Sequence, residues 1–121
     1  MTHAIDGLQP ERVWKYFAEI SRIPRGSKNE ARISAYILQT ARQLGLEAEQ
    51  DESLNVVVRK PASPGREAVP SICLQGHLDM VCEKNSDKVH DFEKDPIELV
   101  RRGNTLMANG TTLGADNGIA V

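Results

Sequence analysis

The sequence predicts an α/β fold in which helices flank a mixed β-sheet. Three observations carry that prediction. Two stretches repeat apolar residues at helical spacing, and two short segments are β-branched or alternate apolar with polar residues. One unbroken apolar run, "SICLQ", gives way to polar residues, as a central strand does at its carboxyl end.

The elements follow in order. Pro10 suits the first turn of a helix, because its missing N–H is one that a helix start leaves unpaired. Val13, Phe17 and Ile20 then mark one face, and Trp14 and Tyr16 widen it. In "SKNE" at 27–30, Ser27 and Glu30 have the spacing of a capping box, and Ile33, Ile37, Ala41 and Leu44 form the stripe of a second helix that Gly45 ends. "LEAEQ" alternates and "LNVVVRK" is β-branched, which predicts two strands about a turn near Asp51–Ser53, with Asn55 permissive at the second start. "PASPGREAVP" holds three of the six prolines and reads as an exposed loop. "SICLQGHLDMV" reads as a buried strand, and "MVCEKNSDKVHDFEKDP" as a long polar loop. "IELVRR" and "TLMAN" form a hairpin about Gly103–Asn104, and "GTTLGADNG" turns from loop into helix.

Composition narrows the function classes. The chain has 121 residues, 40% hydrophobic and 26% charged, the proportions of one globular domain. A net charge of −2 with interspersed signs provides no basic stripe, so nucleic acid is not an expected partner. No apolar run approaches the roughly 18 residues of a membrane span, and the first residues lack a signal-peptide pattern, so a cytoplasmic location without membrane attachment is expected. The two cysteines, Cys73 and Cys82, form no C-x-x-C pair and are expected as reduced thiols.

Chemistry concentrates at His77, Asp79 and Asp116. Ligand sites of α/β sheets lie outside the carboxyl ends of strands, where H-x-D falls. Residues two apart on a strand share a face, so His77 and Asp79 can converge on one point, or Asp79 can fix the ring. A hydrogen-bonded pair closing a strand is the plainer alternative. In "GTTLGADNG" the glycines suit either an anion cradle or a tight turn presenting Asp116 as a hard metal ligand. The carboxylate would repel an anion, and the Lys of a phosphate loop is missing, so the metal is preferred. His90–Asp91 in the long loop reads as a solvated pair, and Cys82 lacks an activating context for a nucleophile or a zinc ligand.

The run from Ile72 to Val121, with its motifs G-H-L-D-M-V and T-T-L-G-A-D-N-G, resembles the N-terminal part of the dinuclear zinc metallopeptidases, which include peptidase T, the aminoacylases and succinyl-diaminopimelate desuccinylase. The resemblance is closest to their Xaa-His dipeptidase branch, and it extends back to "PERVWKYFAEISRIPRGSKNE". It implies that His77 ligates one metal, that Asp79 is the catalytic residue orienting its ring, and that Asp116 bridges two metals. It also implies that the Asp116–Asn117 peptide is cis. Two Zn²⁺ ions, with Mn²⁺ or Co²⁺ as alternatives, would activate a bridging water for hydrolysis of dipeptides, Xaa-His among them.

In that family the general base and the remaining ligands follow later in the chain. Residues 1–121 are therefore expected to be the N-terminal portion of a metallopeptidase catalytic domain, without its lid domain, inactive alone and weak in zinc binding. An apolar strand edge left uncovered predicts self-association into homo-oligomers. The competing expectation is a non-catalytic binding or scaffold domain reusing the fold.

Overall fold

A computed structural model describes residues 3–121. It contains α1 (Glu11–Ser21), α2 (Ala31–Gln43), β1 (Glu47–Gln50), β2 (Val56–Arg59), β3 (Leu99–Arg102), β4 (Thr105–Ala108) and α3 (Ala115–Gly118). The α/β class is as expected. The named strands pair as two antiparallel hairpins, β1–β2 and β3–β4.

Helix α1 starts where Pro10 predicts, with Pro10 as its N-cap residue. Its stripe buries Phe17 and Ile20, while Val13 lies at the edge of that face, 40% exposed. Ile33 of α2 meets them, and Trp14 packs edge-on against Phe17 with ring centroids 6.3 Å apart. Burying each of these large side chains contributes about 1.5–3 kcal/mol, so this cluster is the main source of cohesion. Beside it, Tyr36 of α2 donates its hydroxyl to the Glu19 carboxylate of α1.

The capping box does not form. Glu30 takes the N-cap position of α2 with no side-chain cap, and its carboxylate instead accepts the Lys28 N–H at 2.6 Å. Lys28 occupies the left-handed region at φ 71°, so the loop doubles back before the helix and carries Ser27 away from the helix start. At the other end the helix closes at Gln43, and Leu44 is left 61% exposed.

The β1–β2 hairpin docks on α2 through polar contacts as well as the buried Ala48. Ser34 donates to the Leu54 carbonyl at 2.6 Å and accepts from Gln50 Nε2 at 2.6 Å. Asp51 holds the turn by accepting the Ser53 and Asn55 N–H groups, each at 2.9 Å. In the second hairpin, Arg102 pairs with Thr105 across Gly103, whose φ of +59° is the left-handed conformation such a two-residue turn demands.

The expected buried strand "SICLQGHLDMV" is the main correction. Residues 71–77 are exposed and belong to no ladder, with Ile72 86% and Leu74 92% exposed. A strand exists through ladder hydrogen bonds to a neighbouring strand, and within residues 3–121 no strand pairs with 71–77. Pairing begins only at the polar end. Met80 makes a parallel bridge with Gly26, and Lys84 makes an antiparallel bridge with Thr111. Among the described residues, no helix is long and apolar enough to cross a membrane.

Candidate metal centre

Two loops meet where the sequence places its chemistry. The first, carrying His77 and Asp79, is anchored because the Met80 N–H donates to the Arg25 carbonyl at 2.9 Å. On its other side, Thr112 donates its hydroxyl to the Val81 carbonyl at 2.7 Å and its N–H to the Glu83 carbonyl at 2.9 Å. The loop is therefore stitched between residues 25–26 and 111–112. Backbone bonds fix it without a full sheet.

The second loop delivers Asp116. Gly114 adopts φ +71° and hands the chain to α3, whose single turn is closed by the Gly118 N–H donating to the Gly114 carbonyl at 3.0 Å. Arg25, 1% exposed, donates Nη1 to the Ile20 carbonyl at 3.2 Å and Nη2 to the Gly114 carbonyl at 2.9 Å. One guanidinium thus ties the end of α1 to the turn that presents Asp116. Burial lowers the Arg25 pKa, and the nearby Asp116 carboxylate opposes that shift. Gly118 lacks a side chain because a Cβ there would lie 3.0 Å from the Phe17 ring and 3.2 Å from Arg25. Beside it, the buried Asn117 donates its amide to the His77 carbonyl at 3.2 Å, joining the two loops directly.

The result brings His77, Asp79 and Asp116 together. His77 Nδ1 lies 3.1 Å from Asp79 Oδ1, and Nε2 lies 3.5 Å from Asp116 Oδ2. Asp79 also accepts the Ser27 hydroxyl at 2.5 Å. That bond is the foremost cause of the lowered Asp79 pKa, and the Asp79 hydrogen bond in turn raises the His77 pKa. A carboxylate on Nδ1 favours the tautomer with its proton there, in which Nε2, the nitrogen facing Asp116, is the one open to a metal. The site is open, with the Asp116 side chain 77% exposed and that of His77 52% exposed.

A metal can be tested against this geometry. Two donors about 2.1 Å from a tetrahedral ion stand about 3.4 Å apart. The 3.5 Å between Nε2 and Oδ2 matches that spacing, and imidazole with carboxylate suits Zn²⁺, Mn²⁺ or Co²⁺. The donor set fits. Among the described residues no group of three or more His, Cys, Asp or Glu side chains is placed to hold a metal ion, so the pair supplies fewer than the three protein ligands of a catalytic zinc.

One expectation is amended here, and the reading of the cysteines holds. The Asp116–Asn117 peptide is trans, as the helical turn of residues 115–118 requires, and the cis bond among the described residues is Gln9–Pro10. His90 packs against the Phe92 ring with centroids 4.5 Å apart and makes no bond to the three site residues. Cys73 and Cys82 are free thiols, and burial raises the pKa of Cys82, which disfavours the nucleophilic thiolate. Sequence reading missed Arg25, Ser27 and Asn117 as parts of the site. The signal for Arg25 was only the second of two arginines in "RIPRG", and that for Ser27 a serine that also fitted a cap.

The chain is similar to known dipeptidases. The chain is 46% identical over 114 residues to the cytosol non-specific dipeptidase of Escherichia coli, covering 94% of this chain and 24% of that protein. Its structure superposes on the crystal structure of an aminoacylhistidine dipeptidase from Vibrio alginolyticus with a TM-score of 0.91 and 44% identity, over 96% of this chain and 24% of the other. No family model matches the chain. The resemblance to dipeptidases thus covers nearly all of residues 1–121, which span about a quarter of the length of these relatives.

Proposed function

We propose that this chain is the N-terminal portion of the catalytic domain of a metal-dependent dipeptidase, acting in the cytoplasm on dipeptides that include Xaa-His. The observation that carries this reading is the 3.5 Å approach of His77 Nε2 to Asp116, with Asp79 on the opposite ring nitrogen. Similarity to two dipeptidases over most of the chain supports the substrate class.

In this reading His77 and Asp116 would hold the metal, with Asp116 as the carboxylate that two ions would share. Bound there, divalent zinc, manganese or cobalt would polarise the scissile carbonyl and ionise a water near neutral pH. The residues do the rest. Asp79 retains the proton on Nδ1 and stabilises positive charge on the ring, which strengthens Nε2 as a donor. Arg25 and Asn117 keep the two loops in register, so that Nε2 and the Asp116 carboxylate stay at bonding separation. With two ligands in place of three, residues 1–121 alone bind zinc weakly and do not hydrolyse peptides.

The test is hydrolysis of a dipeptide panel by the protein expressed from its whole reading frame, with zinc, manganese or cobalt. Metal-dependent cleavage that Asp116→Ala abolishes is expected. Activity that survives Asp116→Ala, or no cleavage with any of the three ions, contradicts the reading and favours a binding or scaffold role.

A further inference from the structure

We propose that Ser27 is a positioning residue for the metal-binding histidine, acting through Asp79. The inference rests on the reading of His77 as a ligand. Ser27 donates its hydroxyl to Asp79 Oδ2 at 2.5 Å while Asp79 Oδ1 engages His77 Nδ1 at 3.1 Å, so the two oxygens of one carboxylate are used at once. A carboxylate held only by the ring can rotate about its last bond and offer either oxygen. Held by Ser27 as well, it has one orientation, and that orientation aims Nε2 at Asp116.

The hydroxyl is held by the backbone. Gly26 pairs with Met80 in a parallel bridge, and the Met80 N–H donates to the Arg25 carbonyl at 2.9 Å, so Ser27 and Asp79 each lie one residue from the bridged pair, diagonally across it. Gly26 permits this approach, because a Cβ there would lie 2.8 Å from Cys82 Sγ. Lys28 at φ 71° then turns the chain away, so that α2 does not recruit Ser27 as its cap. A serine that gives up a helix cap to bond a carboxylate 52 residues away is placed for that carboxylate.

Groups that orient a metal-bound imidazole are typically worth about 10–100-fold in metal affinity. Ser27 stands one residue further out than Asp79, so a loss of about tenfold is expected. The experiment measures zinc affinity by calorimetry and thermal unfolding of the metal-free protein, using the whole reading frame. It compares the parent with Ser27→Ala, Ser27→Thr and His77→Ala. Expected is weaker zinc binding in Ser27→Ala, near-parental binding in Ser27→Thr, which keeps the hydroxyl, and metal-free unfolding that remains cooperative with at most a small shift, too small to account for the loss of affinity. Parental affinity in Ser27→Ala, alongside a loss in His77→Ala, overturns this proposal alone. So does a lowered unfolding temperature in Ser27→Ala that accounts for the whole loss. Zinc affinity indifferent to His77→Ala overturns the metal-centre reading, and this proposal with it.

Discussion

Gly114→Ala separates two costs that the structure predicts at one position. Gly114 lies at φ +71°, where an L-residue with a Cβ pays about 1–2 kcal/mol. Its new Cβ would also lie 2.5 Å from Arg25 Nη2, 3.0 Å from Met80 Sδ and 3.2 Å from Met80 Cβ. Arg25 cannot swing aside cheaply, since it is 1% exposed and the clashing nitrogen donates to the Gly114 carbonyl at 2.9 Å. Breaking a hydrogen bond from a charged donor costs about 1.5–3 kcal/mol, so the total is about 3–5 kcal/mol. Gly103→Ala is the internal control, because φ there is +59° and nothing lies within 4 Å of the added carbon. It carries the backbone cost alone, about 1–2 kcal/mol. Urea unfolding of the three proteins, compared through their midpoints at a common slope, reads the difference. Equal destabilisation of Gly114→Ala and Gly103→Ala would refute the claim that Arg25 fixes the turn presenting Asp116.

Other outcomes follow from the same contacts. Phe17→Ala, at a ring 2% exposed in the centre of the core, costs about 3–5 kcal/mol in the same urea assay. Burial, reinforced by the Glu19 bond, pushes the Tyr36 pKa up to about 12. The folded state therefore binds that proton more tightly than the unfolded chain, and the contribution is complete below the ordinary tyrosine value and lost as pH rises toward 12. Ultraviolet titration should show a tyrosinate transition near pH 12 that is absent in Tyr36→Phe. Asp79→Asn replaces the carboxylate that retains the Nδ1 proton with a neutral amide that can instead donate to Nδ1, so nitrogen-15 shifts of His77 in metal-free protein should move toward mixed tautomers, whereas unchanged shifts would separate Asp79 from the ring.

Local chemistry was legible in the sequence where neighbours in the chain decide the outcome. Pro10 and the Val13–Phe17–Ile20 spacing placed α1, and Gly103–Asn104 placed the second hairpin. The two motifs gave His77, Asp79 and Asp116, which the fold brings together. What was not legible depends on distant partners. Residues 71–77 look like a strand by composition, but no strand pairs with them among residues 3–121. Ser27 satisfied a local capping pattern, and the bridge from Gly26 to Met80 gave its hydroxyl to Asp79 instead. Nothing local in the sequence singles out Arg25, although it is buried against a carbonyl 89 residues later. Spacing cannot show such contacts, because they are set by how loops cross.

The most direct test of the centre is zinc-edge anomalous diffraction from crystals of the protein grown with zinc. The account predicts a peak about 2.0–2.2 Å from His77 Nε2 and from a carboxylate oxygen of Asp116, with Asp79 still on Nδ1. A peak on Nδ1 with Asp79 displaced, or no zinc within bonding distance of His77 and Asp116, would contradict it.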